Sequence, residues 1–146
     1  MATCTFFGHR DLYENIDERL KTTIIHLVEN CNVDYFIVGN QGSFDFRVHK
    51  ILDEIKKEYN HIDYSVILAY LPGKKEDYSN IDYTKTLYPE GIEKVPRKFA
   101  ISWRNKWMIQ KSDYVVVYVI KSYGGASQWY EFAKKRNKTT INIAEI

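Results

Sequence analysis

With 146 residues, 45% of them apolar and 27% charged, the chain has the size and composition of one globular domain. A chain of this length buries enough surface to need no metal or disulfide staple. Its net charge of only +2 argues against a nucleic-acid footprint.

The basic clusters Lys56-Lys57 and Lys134-Lys135-Arg136 fall in helix-like stretches and read as solvated faces. No apolar run approaches the ~18 residues that span a bilayer, and the N-terminus lacks a signal-peptide core. A cytoplasmic location with no membrane partner is therefore expected. Cys4 and Cys31 have neither CxxC spacing nor ligand-spaced histidines, so two buried free thiols, no metal and no cofactor are expected.

In chain order, Thr3–Phe7 is a β-prone run that stops at Gly8-His9-Arg10. Ile16, Leu20, Ile24, Leu27 and Val28 recur at helical spacing, with Asn15 or Asp17 as candidate caps. Asp34–Val38 is a second strand, ended by Gly39-Asn40-Gln41-Gly42. Val48, Ile51, Leu52 and Ile55 mark a helix over Asp45–Tyr59. Tyr64–Tyr70 is a third strand, closed by Pro72-Gly73. Residues 71–98 hold all three prolines and show no sustained period, which suits a lid, a binding loop or an interface element. A helix is expected over Phe99–Lys111 and a strongly β-branched strand over Tyr114–Val119. The Gly124-Gly125 turn then leads to a helix over Gln128–Arg136 and a last strand over Thr139–Ile143.

The strands are continuous apolar runs rather than alternating ones, so both faces of a parallel sheet are covered. The expected fold class is α/β, a Rossmann-like three-layer sandwich with a mainly parallel five-stranded sheet. No repeat or linker divides residues 1–146, so one domain is expected.

Ligands of open parallel sheets bind outside the carboxyl ends of the strands. There the sequence offers Gly8-His9-Arg10, Gly39-Asn40-Gln41-Gly42, the loop after Tyr70, and Gly124-Gly125-Ala126-Ser127. Gly124-Gly125 ahead of a helix is the best phosphate cradle. Neither GxGxxG after the first strand nor GxxxxGK[ST] is present, which argues against a standard dinucleotide dehydrogenase and a P-loop NTPase. Bland roles compete at several positions. Gly39 and Gly42 can merely shape a turn, and Asp45 can be a helix cap. Arg104 can pair with a surface carboxylate. His26, His49 and His61 read as surface or helix-face residues.

The Gly8-His9-Arg10 triplet, the Gly39–Gly42 loop, the run Arg104–Val119 and the segment Ser122–Ala133 together resemble the SLOG superfamily. That group holds Rossmann-like nucleotide-binding domains, among them LOG phosphoribohydrolases and the DprA fold. The resemblance points to a short stand-alone branch of Gram-positive bacteria and their phages. LOG enzymes carry a PGGxGTxxE signature. Here Gly124, Gly125 and Glu131 stand in register, while Tyr123, Ser127 and Gln128 replace the proline, third glycine and threonine. Arg104 matches the arginine of their preceding helix, and Asn105 replaces its lysine.

The resemblance implies ligand contacts from Gly8, His9 and Arg10, from Gly39, Asn40, Gln41 and Gly42, and from Arg104 and Asn105. Gly124, Gly125, Ala126 and Ser127 would complete the set. The expected partner is a phosphorylated, nucleotide-derived small molecule, with Tyr70, Tyr78, Tyr83 or Tyr88 stacking on a base. A binding module that senses or sequesters this ligand, as in phage or anti-phage signalling, is the first reading. The second is an N-glycosidase using Glu131 and Arg104 as catalytic residues. A protein-interaction domain is the third. Trp103, Trp107 and Trp129 suggest a homo-oligomer through helix faces.

Overall fold

The computed structural model describes residues 1–71 and 85–146. Strands β1 (Ala2–Gly8), β2 (Val33–Val38), β3 (Asp63–Ile67), β4 (Thr86–Leu87), β5 (Tyr114–Tyr118) and β6 (Thr139–Asn142) form one sheet, in the order β4-β3-β2-β1-β5-β6. Every neighbouring pair is parallel. The α/β expectation is met with one correction, a sixth strand. β4 has only two residues and no readable period. Pairing of Thr86 with Val66 and of Leu87 with Ile67 alone makes it a strand.

Helices α1 (Asp17–Asn30) and α2 (Gly42–Glu58) cover one face, α3 (Ala100–Gln110) and α4 (Gly125–Lys135) the other. Side chains alternate across the sheet. Phe6 and Val116 join Leu20, Ile24, Val48 and Leu52 on the first face. Phe7, Val115 and Val117 join Met108, Ile109, Trp129 and Ala133 on the second. Both sides being dry explains why β5 reads as unbroken Tyr-Val-Val-Val-Tyr. Each such fully buried large side chain contributes roughly 1.5–3 kcal/mol.

Local chemistry sets the helix ends. Asn15 Oδ1 accepts the Asp17 N–H at 2.9 Å, so Asn15 serves the start of α1. Helix α2 begins at Gly42 and α4 at Gly125, each three residues before the expected start, because glycine belongs to the first turn in both. The third strand ends at Ile67 rather than Tyr70. Cys4 is buried and Cys31 only half-buried, its Sγ 4.0 Å from His26 Nε2, which corrects the expectation of two buried thiols. His26 and His61 are exposed, but His49 turns inward and donates from Nε2 to the Gly39 carbonyl at 2.8 Å. Trp129 is 7% exposed and stacks on Phe7 with centroids 6.2 Å apart, so it belongs to the core rather than to a docking face.

Gly8 closes β1 where no side chain fits. A Cβ there would lie 2.3 Å from the ring of Phe44, itself only 1% exposed and unable to yield. Gly8→Ala is therefore expected to lose about 1–3 kcal/mol by overpacking, read as a lower urea midpoint at unchanged slope.

Candidate functional site

The sheet order reverses at β1. The chain steps outward through β2, β3 and β4 on one side and through β5 and β6 on the other. Loops leaving β1 and β5 therefore diverge, and a crevice opens at the carboxyl ends of the strands. It is a cleft of about 270 Å³. Gly8, His9, Arg10, Gln41, Asp45, Arg104, Asn105, Gly125 and Ala126 line it, over an apolar base of Phe6, Phe7, Ile101, Met108 and Trp129.

Most of the expected ligand residues thus converge, yet their roles differ. Gly39 is needed for close packing, since a Cβ would stand 2.8 Å from Asp45 Oδ2 and 3.3 Å from Arg104 Nη2. Gly42 has φ +89°, and its Cβ would meet Arg10 Cγ at 2.8 Å. A side chain there is excluded by backbone strain and by space. Ser43 Oγ donates to the Arg10 carbonyl at 2.7 Å and accepts the Leu12 N–H at 3.1 Å, latching the loop after β1 onto α2. Asn40 Oδ1 accepts from Arg104 Nη1 at 2.9 Å, so Asn40 acts on the cleft through Arg104. His9 Nε2 accepts the Ile120 N–H at 2.9 Å, which places the proton of its neutral ring on Nδ1 and ties β1 to the exit of β5. Burial first, then Lys121, holds the His9 pKa below the ordinary imidazole value.

Arg104 is the central group. It is 2% exposed, and Nη1 also approaches the Ile67 carbonyl at 3.4 Å while Nε donates to Asn105 Oδ1 at 3.2 Å. All of its hydrogen-bond partners are neutral, and among the described residues it forms no ion pair. Burial lowers its pKa, opposed by Asp45 and then Tyr70. Arg10, exposed at the rim, has neither an ion pair nor a side-chain hydrogen bond among the described residues.

Asp45 is the residue sequence reasoning undervalued. It lies inside α2 rather than capping it from outside, 9% exposed, and Oδ2 accepts the Gln41 N–H at 2.9 Å. It thus reaches back to the residue before the helix much as a capping box does. Burial pushes its pKa up to about 6, against the Gln41 N–H and the Arg104 charge, which pull it down. A signal was available: Asp45 continues the buried stripe of Val48, Ile51, Leu52 and Ile55, where an acid is out of place.

The last wall is the start of α4. Gly124 has φ +97°, and a Cβ at Gly124 or Gly125 would meet no atom within 4 Å. The space over this first turn is therefore open on the side where a side chain would stand, and a helix N-terminus is a natural place for an anion. Gly124 and Ser127 do not themselves line the cleft. Glu131 is placed elsewhere. It is exposed, pairs with Lys134 at 3.2 Å, and lines a separate groove with Lys106, Gln128, Phe132 and Lys135. Of the tyrosines, Tyr70 is engaged by Arg97, which lies 4.2 Å over its ring, and Tyr88 packs against the core. Tyr78 and Tyr83 lie outside the described residues.

A parallel α/β sandwich with a switch-point cleft of this chemistry defines a Rossmann-like ligand-binding domain. The model of the YspA SLOG family matches residues 2–146, and the chain belongs to that family. Membership puts it among Rossmann-like domains of the nucleotide-binding type. Comparison with curated proteins found no match.

Proposed function

We propose that the cleft captures a phosphorylated, nucleotide-derived small molecule and holds it without transforming it. The observation that carries this reading is Arg104, a guanidinium 2% exposed at the cleft with only neutral partners among the described residues. Asp45 stands near it across Gly39 without forming an ion pair, so the buried charge is incompletely paired, and an anionic ligand completes the pairing. Arg10 at the rim and the open N-terminus of α4 add to the same field.

The N-glycosidase reading needs a carboxylate at the scissile bond. Glu131, the residue aligned with that role, lines a different groove, which weighs against a hydrolase built on it. A cytoplasmic sensor or sequestering module, in phage or anti-phage signalling, is the role such capture would serve. For self-association, the half-buried Trp103 and Trp107 of α3 and the exposed Phe99 beside them are the surface we propose.

Calorimetry with AMP, ADP, ADP-ribose and cyclic nucleotides tests the reading, with free nucleosides as controls. At least one phosphate should bind while its nucleoside does not. Gly125→Ala is the clean probe, because its Cβ meets no protein atom and its backbone is unstrained. Its unfolding midpoint should stay unchanged while phosphate affinity drops tenfold or more, about 1.4 kcal/mol. Normal binding by this variant would place the anion elsewhere. Release of free base from a bound nucleotide, lost in Glu131→Gln, would establish the hydrolase instead.

A further inference from the structure

The cleft is built with two kinds of wall. On the β5 side stands the α4 N-terminus, suited to an anion, while Arg10, from the loop after β1, packs against Gly42 and Ser43 at the head of α2. On the β2 side stand Asp45, Arg104 and Asn105, which are 9%, 2% and 8% exposed. A carboxylate accepts hydrogen bonds and repels phosphate, so Asp45 is misplaced if the ligand is a phosphate and nothing more.

Three polar atoms on that wall have no hydrogen-bond partner among the described residues: Asp45 Oδ1, Arg104 Nη2 and Asn105 Nδ2. Every fully enclosed side-chain nitrogen and oxygen among the described residues is hydrogen-bonded. The three unpartnered atoms are therefore not fully enclosed, and all three residues line the cleft. The carboxylate and the guanidinium flank Gly39, whose lack of a Cβ leaves both uncovered. An acceptor beside two donors calls for a ligand group that both donates and accepts. Adjacent hydroxyls do this, whereas a phosphate only accepts and an exocyclic amine chiefly donates.

We infer that Asp45 is a specificity-determining residue that accepts a hydrogen bond from a ribose hydroxyl of the ligand, while Arg104 and Asn105 donate to the neighbouring oxygen. This rests on the phosphate-capture reading and adds the sugar to it. The span agrees. β2 and β5 are separated by β1, so the two walls stand roughly 10 Å apart at ~4.8 Å per strand. A sugar phosphate bridges that distance with a hydrogen bond at each end, and inorganic phosphate does not.

The test is calorimetry with the 5′-monophosphates of adenosine, guanosine, cytidine and uridine, each beside its 2′-deoxy and 3′-deoxy counterpart. The parent chain should bind a ribose form about tenfold or more tighter than the deoxy form lacking the contacted hydroxyl. Asp45→Asn keeps an oxygen for the Gln41 N–H but turns a donor toward the ligand. It should bind the ribose form no tighter than that deoxy form, whose own affinity changes little. Equal affinities for ribose and deoxy forms in the parent chain would overturn the inference and leave phosphate capture standing. So would equal weakening of both by Asp45→Asn, the mark of a merely shaping residue. If no monophosphate binds in any form, the phosphate reading fails and takes the inference with it.

Discussion

Arg104→Ala should remove most of the thermal stabilisation that a bound nucleotide phosphate gives the parent chain. Ligand at ~100 times its dissociation constant adds about 2.7 kcal/mol to the native state. For a domain of this size the melting temperature then rises by roughly 5–10 °C. A charge-assisted hydrogen bond from a buried guanidinium contributes about 1.5–3 kcal/mol, so its loss weakens binding by one to two orders of magnitude. At the same ligand concentration the remaining stabilisation is about 0.4–1.4 kcal/mol, a shift of only a few degrees. The variant also loses its hydrogen bonds to Asn40, Asn105 and Ile67, so the unliganded protein should itself melt lower. The decisive quantity is therefore the ligand-induced shift within each variant. An undiminished shift in Arg104→Ala would put the anion outside this cleft.

Asp45→Asn should do the opposite to the unliganded fold and stabilise it above neutral pH. Burial raises the Asp45 carboxyl from 3.8 to about 6. Between these values the native state holds a proton that the unfolded chain has released. Stability is therefore present below about pH 4 and is lost as pH rises through 6. At about 1.4 kcal/mol per pH unit, the ionised native carboxylate costs about 2–3 kcal/mol at pH 7.5. Asparagine carries no charge and keeps an acceptor for the Gln41 N–H. Urea unfolding at pH 7.5 should show the variant more stable by about that amount, and a thermal melt a rise of roughly 5–10 °C. The advantage should fade to nothing as pH falls toward 4. A less stable variant at pH 7.5 would show that ionised Asp45 serves chiefly as the counter-charge of Arg104. Greater stability together with lost ribose preference would mark Asp45 as a site residue kept at a cost to the fold.

The two expectations have a common origin. Arg104 and Asp45 stand close across Gly39 but do not form an ion pair, so neither neutralises the other fully. A pair left open in this way is poorly stabilised until a ligand group enters between or beside its members.

What the sequence by itself determined was the order of elements and the end of the sheet at which the cleft opens. Helical period in α1 and α2, the β-branched run of β5 and glycines directly after strands are local signals. Each is written within a few neighbouring residues. Continuous apolar strands between amphipathic helices then leave a parallel, doubly covered sheet as the consistent arrangement. Arg104 and Asn105 could be aligned with a family motif for the same reason, since their neighbours in sequence carry the resemblance.

Only the tertiary structure decided what depends on residues distant in the chain. β4 exists through its partner β3, because two residues have no period to read. His9 is a tie to Ile120, 111 residues away, and Asn40 a brace for Arg104, 64 residues away. Glu131 keeps the register of a catalytic motif, yet the face of α4 it occupies turns it into another groove beside Lys134. Asp45 looked like a cap until burial against Arg104 and Gln41 gave it a perturbed carboxyl. Burial and field are sums over everything packed around a group, and a one-dimensional reading carries only the neighbours along the chain.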